Sequence, residues 1–172
     1  MREVALVTGA SSGIGLEIAK ILASQNYDLV ICARRERELQ DLAEEISRQH
    51  TVNCKVIVAD LTTEEGVDLL IKDSGEVDIL VNNAGFGILG AHFDMQLGRQ
   101  LLMIELNIHA LTRLSHVFGN LMVKKGKGRI MNVASIASYI SGPTFAVYCA
   151  TKAYILSYSR ACLLYTSPSP RD

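Results

Sequence analysis

The 172-residue sequence contains no apolar run approaching the ~20 residues that a membrane-spanning helix needs, which gives no reason to expect a span. It also lacks an excess of either charge: 17 Lys and Arg stand against 18 Asp and Glu, for a formal net charge of −1. That balance offers no electrostatic footprint for nucleic acid or for an acidic membrane surface. The cysteines, Cys32, Cys54, Cys149 and Cys162, include no C-x-x-C pair. Neither a zinc site nor a disulfide framework is indicated, and free thiols fit a reducing cytoplasm. The histidines, His50, His92, His109 and His116, lack metal-site spacing and read as structural or solvated. No repeat and no Pro- or Gly-rich linker divides the chain, so one domain is expected. The opening MREVALVTGASSG enters a strand at once and does not read as a signal peptide.

Short apolar runs alternate with amphipathic segments. Strands are expected at Val4 to Val7, Asp28 to Ala33, Cys54 to Ala59, Val77 to Val81 and Arg129 to Val133. Helices are expected from Ile14 to Ser24, Arg34 to Gln49, Glu64 to Lys72, Phe93 to Lys125 (one helix or two abutting ones) and Ala146 to about Leu163. In the second helix Leu39, Leu42, Ala43 and Ile46 recur at the helical period and mark its inner face. Strand–helix alternation with continuous apolar strands predicts a parallel sheet covered on both faces, a doubly wound α/β fold of the Rossmann type in three αβα layers.

The first strand runs into TGASSGIG. Gly9, Gly13 and Gly15 permit a tight turn and close backbone approach to a pyrophosphate, and the following helix offers free N–H groups to an anion. Ser11 or Ser12 can serve as helix N-cap. The spacing is not the common G-x-G-x-x-G, nor is there the G-K-[ST] of a Walker A loop. The second strand ends at Ala33 and is followed by Arg34 and Arg35, where a site for NAD(H) usually carries a carboxylate. Two guanidiniums suit a 2′-phosphate, so NADP(H) is read as the cofactor.

From Ser135 to Lys152 the chain reads SIASYISGPTFAVYCATK. Tyr148 and Lys152 are four residues apart on an expected helix, hence on one face. An ammonium one turn from a phenol favours the phenolate, which would make a tyrosine useful as an acid or base.

Taken together, Thr8-Gly9-Ala10-Ser11-Ser12-Gly13-Ile14-Gly15, Asp60-Leu61, Asn82-Asn83-Ala84-Gly85, Asn107, Ser135, and Tyr148 with Lys152 resemble the short-chain dehydrogenase/reductase family in order and separation. The resemblance extends to about residue 160, and FGILG and GPTFAVYCATKAY resemble bacterial NADP-preferring members close to 3-oxoacyl reductases. It implies an oxidoreductase moving a hydride between NADP(H) and a carbonyl or secondary alcohol, with Tyr148 as general acid/base. It further implies that Ser135 holds the substrate oxygen, that Lys152 holds the nicotinamide ribose, and that Asn107 anchors a water leading to Lys152. Gly9, Ser11, Ser12, Gly13, Ile14 and Gly15 would cradle the cofactor's phosphates and Arg34 and Arg35 its 2′-phosphate. Asp60 and Leu61 would border its adenine, and Asn83, Ala84 and Gly85 its middle portion. Partners implied are a small carbonyl or alcohol substrate and, through the long helix and the Tyr148 helix, further copies in a homodimer or homotetramer.

The family pattern breaks near the end. Its members continue past this point with a sixth strand, a substrate loop and a seventh strand. Here CLLYTSPSPRD follows, and Ser-Pro-Ser-Pro cannot continue a helix. Residues 1–161 are therefore read as an incomplete dinucleotide-binding and catalytic domain. Residues 162–172 are read as a tail, either a disordered end or, by preference, one foreign to the domain. The fifth strand is expected to form an open sheet edge, and the alternative function is a non-catalytic NADP-binding fragment.

Overall fold

The structure is a computed structural model and describes residues 2–166. Five parallel strands form one sheet in the order β3-β2-β1-β4-β5. They are β1 (Val4–Thr8), β2 (Asp28–Ala33), β3 (Cys54–Val58), β4 (Ile79–Asn82) and β5 (Arg129–Asn132). β1 lies at the centre, with Leu6 opposite Val30 on one side and Leu80 on the other. The chain winds outward through β2 and β3, then returns to add β4 and β5 on the far side of β1. The winding reverses between β1 and β4, and ligands of open α/β sheets bind at the carboxyl ends of strands at such a reversal.

Strand side chains alternate between two cores. Ala5, Val7, Leu29, Ile31, Ile79 and Val81 pack under α1 (Gly13–Ser24) and α2 (Glu36–Gln49). Leu6, Val30, Cys32 and Leu80 pack on the other face under α3 (Glu64–Ser74) and α5 (Leu111–Lys125). The buried face of α2 is Leu39, Leu42, Ala43 and Ile46, the stripe read from periodicity. α3 starts where Thr63 accepts the Gly66 N–H at 3.0 Å.

The remaining helices are α4 (Leu97–Ile104), a π-helical turn (Glu105–Ala110) leading into α5, a 3₁₀ turn (Ile136–Tyr139) and α6 (Ala146–Thr166). α4 begins four residues later than the pattern suggested, because Asp94 N–H closes a turn on Ala91 carbonyl and Phe93 stands exposed ahead of the helix. On α4, Leu101 and Leu102 are exposed, whereas Leu111 and Leu114 of α5 are buried. α2 begins at Glu36, which leaves Arg34 and Arg35 in the turn before it. α6 continues to Thr166, three residues past the expected end at about Leu163. Most of the expected tail, residues 167–172, lies outside the described residues.

β5 is an edge: Ile130 is 38% and Met131 50% exposed. A groove of 780 Å³ runs beside it between α5 and α6, lined by Gly119, Met122, Ile130 and Tyr158 among others. A polar ladder ties this region to the sheet. Asn82 Nδ2 donates to Ser115 Oγ and to Asn132 Oδ1, each at 2.9 Å, and Asn132 Nδ2 donates to Ser159 Oγ at 2.9 Å. Among the described residues, no helix is long and apolar enough to cross a membrane, and no cluster of His, Cys, Asp and Glu could hold a metal.

Candidate active site

The carboxyl ends of β1 and β4 are joined by a threonine and an asparagine. Thr8 Oγ1 donates to Val81 carbonyl at 3.2 Å and accepts the N–H groups of Asn83 and Ala84, both at 3.0 Å. Asn83 Nδ2 donates to the carbonyls of Thr8 at 3.0 Å and Gly9 at 3.2 Å. Asn83 thus braces the phosphate loop from beneath, and Gly15 lies against its amide where a Cβ has no room. Thr8 was quoted in the sequence motif without a role. A buried threonine ending the central strand was the available signal.

Gly9 and Gly13 take φ of +67° and +60°, a conformation other residues rarely adopt. The Gly9 and Ala10 N–H groups both turn back to Cys32 carbonyl, at 2.8 and 3.2 Å. A Cβ on Gly13 would meet nothing within 4 Å, so the loop opens outward there. Ser12 occupies the α1 N-cap position, yet its side chain makes no capping bond. Its Oγ, with that of Ser11, accepts from Arg35 Nη2 at 2.7 and 2.9 Å. The first turn of α1 therefore keeps its backbone donors free of side-chain caps, beside an exposed Ile14. These features fit a bound pyrophosphate.

The two expected arginines make different contacts. Arg35 folds over the phosphate loop, while Arg34 points to Asp60, with Nη1 3.8 Å from Oδ2. Asp60 also accepts from Thr62 N–H and Oγ1 at 3.0 and 2.8 Å, which shapes the turn after β3. Leu61 packs its side chain into the core with Val67 and Leu70.

Tyr148 and Lys152 come together on α6 as their spacing predicts. Lys152 Nζ lies 5.9 Å from the centroid of the Tyr148 ring and donates to Val133 carbonyl at 2.8 Å. Lys152 is 6% exposed, and burial pushes its ammonium below the usual lysine value. Phe145 packs at 4.9 Å and a tilt of 60° on the Tyr148 ring. On another side lies Gly87, where a Cβ would approach the ring to 2.8 Å. Ser135 caps the 3₁₀ turn by accepting Ala137 N–H at 3.1 Å. That bond uses an oxygen lone pair and leaves the Ser135 hydroxyl hydrogen to donate.

Asn107 sits in the π-helical turn and is 1% exposed. Its Oδ1 accepts Phe86 N–H at 3.1 Å. Its Nδ2 donates to Phe86 carbonyl and to Thr151 Oγ1, each at 3.0 Å. Both amide hydrogens are thus used within the protein, so the side chain is a clamp on the segment after β4. Gly85 lies in that segment, where a Cβ would stand 3.0 Å from Asn107 Oδ1 and 3.7 Å from Lys152 Nζ. Gly87 and Thr151 lie within the quoted segments FGILG and GPTFAVYCATKAY but were given no role, since nothing local sets this glycine or this threonine apart.

A phosphate loop, a guanidinium closing on it, a buried lysine and a partly exposed tyrosine beside it converge at one end of the sheet. Known proteins are similar to this chain in sequence and fold. An uncharacterized oxidoreductase of Bacillus subtilis is 38% identical over 160 residues, covering 92% of this chain and 61% of that protein. A short-chain dehydrogenase from Sphingobium yanoikuyae, solved in complex with NADPH, superposes with a TM-score of 0.91 at 33% identity, covering 96% of this chain and 66% of that one. The bulky-bulky ketone specific alcohol dehydrogenase from Comamonas testosteroni does so with a TM-score of 0.90 at 33% identity, covering 95% and 67%. The chain thus spans about two thirds or less of the length of these relatives. The family model described as short chain dehydrogenase matches residues 3–168, and the chain belongs to that family of oxidoreductases.

Proposed function

We propose that this chain carries the cofactor site and proton-transfer site of an NADP(H)-dependent oxidoreductase acting on a carbonyl or secondary alcohol. The observation that carries the reading is the Tyr148–Lys152 pair, with Lys152 buried, beside the segment that Asn107 clamps after β4. The cofactor, when bound, supplies or takes the hydride.

The uncapped N-terminus of α1 and the open side of Gly13 receive the pyrophosphate. Arg35, anchored on Ser11 and Ser12, receives the 2′-phosphate, with Arg34 adding charge from across the turn. The Sphingobium relative was solved with NADPH, which supports the same choice here. The Tyr148 hydroxyl gives its proton to the substrate oxygen, or takes one from an alcohol. Ser135 donates its free hydroxyl hydrogen to the same oxygen and stabilises charge developing there. Lys152 holds a positive charge close to the Tyr148 ring, which favours proton release from the phenol. A water on Asn107 that refills the proton would use its backbone carbonyl, because the side chain is committed to Phe86 and Thr151. Copies of the chain associate through the exposed Leu101 and Leu102 of α4 and its neighbours, and the setting is the cytoplasm.

Binding is read from NADPH fluorescence and turnover from its oxidation with a panel of ketones. Tyr148→Phe is expected to bind NADPH and lose turnover. Turnover surviving in Tyr148→Phe would remove the assigned proton donor. NADPH binding without turnover in the unsubstituted chain would favour a binding module over an enzyme.

A further inference from the structure

The Thr151 hydroxyl closes a ring of contacts around the site. Its Oγ1 donates to Tyr148 carbonyl, one turn back on α6, at 2.8 Å. The same oxygen accepts from Asn107 Nδ2 at 3.0 Å, across 44 residues of sequence. A threonine hydroxyl has one hydrogen to give, and spending it on the preceding turn leaves the lone pairs for Asn107. Thr151 is 1% exposed, so water does not compete for either bond.

The ring runs on from Asn107 to both backbone groups of Phe86. Phe86 stands between two glycines with no room for a side chain. Gly85 faces Asn107 and Lys152, and Gly87 faces the Tyr148 ring. The segment after β4 is therefore held between Asn107 on one side and the Tyr148–Lys152 pair on the other. From α6, it is Thr151 that bonds to the Asn107 side chain.

We propose that Thr151 is a positioning residue: its hydroxyl fixes the spacing between the Gly85–Gly87 segment and the Tyr148–Lys152 pair. It touches neither substrate nor cofactor and acts through Asn107 and the α6 turn. Thr151→Val keeps the shape but removes both bonds and leaves a buried Asn107 N–H without a partner. Loss of registration of about 1 Å at such a site lowers turnover by roughly 100-fold.

The test has two arms, and the kinetic one rests on the oxidoreductase reading above. The first arm is amide hydrogen exchange on the 172-residue chain without cofactor. Thr151→Val is expected to speed exchange at Phe86 N–H by about 10-fold or more, because the clamp opens locally. Amides of β1 and α2 are expected to keep their rates. Thr151→Ser, which keeps the hydroxyl, is expected to restore the Phe86 rate, and Thr151→Ala is expected to behave like the valine variant. The second arm is steady-state kinetics, where Thr151→Val is expected to lower kcat with the KM for NADPH nearly unchanged and Thr151→Ser to recover kcat. Unchanged Phe86 exchange in Thr151→Val, or a serine variant as damaged or as poorly folded as the alanine one, overturns the proposal. If the unsubstituted chain shows no turnover, the functional reading fails while the exchange arm still decides the role of Thr151.

Discussion

Gly87 lies against the ring of Tyr148 so closely that a Cβ would stand 2.8 Å from Cδ2 and 3.0 Å from Cγ. Real Cβ atoms do not approach backbone-anchored rings to that distance, so either the ring or the segment must yield. Gly87→Ala is therefore expected to displace Tyr148 and lower ketone reduction by roughly 100-fold. Affinity for NADPH, read by fluorescence titration, is expected to stay near that of the unsubstituted chain. A wild-type rate in Gly87→Ala would mean that the segment shifts instead.

Arg35 and Arg34 make different contacts, and their substitutions should differ accordingly. Arg35 bridges Ser11 and Ser12, whereas Arg34 is 3.8 Å from Asp60. Arg35→Ala is expected to weaken NADPH binding by about 10-fold or more, the usual scale for a hydrogen bond to a charged group. Binding of NADH, which lacks the 2′-phosphate, should change little. Arg34→Ala is expected to do less to NADPH. Parallel titrations of both cofactors check the pair, and equal losses for NADPH and NADH would show that Arg35 shapes the loop rather than reading the phosphate.

At the opposite end of the sheet, Asp78 ties several elements together. Its carboxylate accepts Val4 N–H at 2.9 Å and Lys125 Nζ at 2.8 Å, with Lys127 at 3.7 Å. Burial pushes this carboxyl up, but the Lys125 hydrogen bond, the Val4 N–H and the charges of Lys125 and Lys127 outweigh it and hold it below the ordinary value of 3.8. A lowered folded value means that the unfolded chain binds the proton more readily. The stabilisation is then complete above the unfolded value and is lost as pH falls through the folded one. Asp78→Asn is expected to cost about 1–2 kcal/mol at neutral pH. Urea melts across the acid range should show that difference shrinking below the unfolded value.

β5 presents an unpaired strand edge with Ile130 and Met131 exposed. Such edges pair with other chains unless charge or a bulge prevents it. The 172-residue chain is expected to associate as concentration rises, read by sedimentation velocity. Met131→Lys should reduce the association without lowering the melting temperature. A monodisperse chain with a sharp, cooperative melt would count against the open edge.

Legibility in the sequence followed the range of the interaction. The α2 face of Leu39, Leu42, Ala43 and Ile46 was readable because helical period is local. The Tyr148–Lys152 pairing was readable because one turn of helix separates them. The loop glycines were readable because a strand precedes them and a helix follows. Asn107 was expected at the site through its place in the family motif, but its bonds to Phe86 and Thr151 cross 21 and 44 residues and leave no periodic trace. Gly87 illustrates the same limit: it is required by a ring 61 positions away that only the folded chain brings near.

The π-helical turn from Glu105 to Ala110 also sets the phase between the helices on either side of it. Each residue of an α-helix advances the side chains by about 100°. Rewinding Glu105–Ala110 as regular α-helix, with the number of residues unchanged, would rotate all of α5 by about that step relative to α4. Leu111, Leu114 and Phe118, now buried against the sheet, would swing toward solvent together, and Asn107 would leave Phe86. Loss of the wide turn therefore uncouples the core and the site in the same stroke, while substitutions on its outer face that keep the turn leave the phase intact.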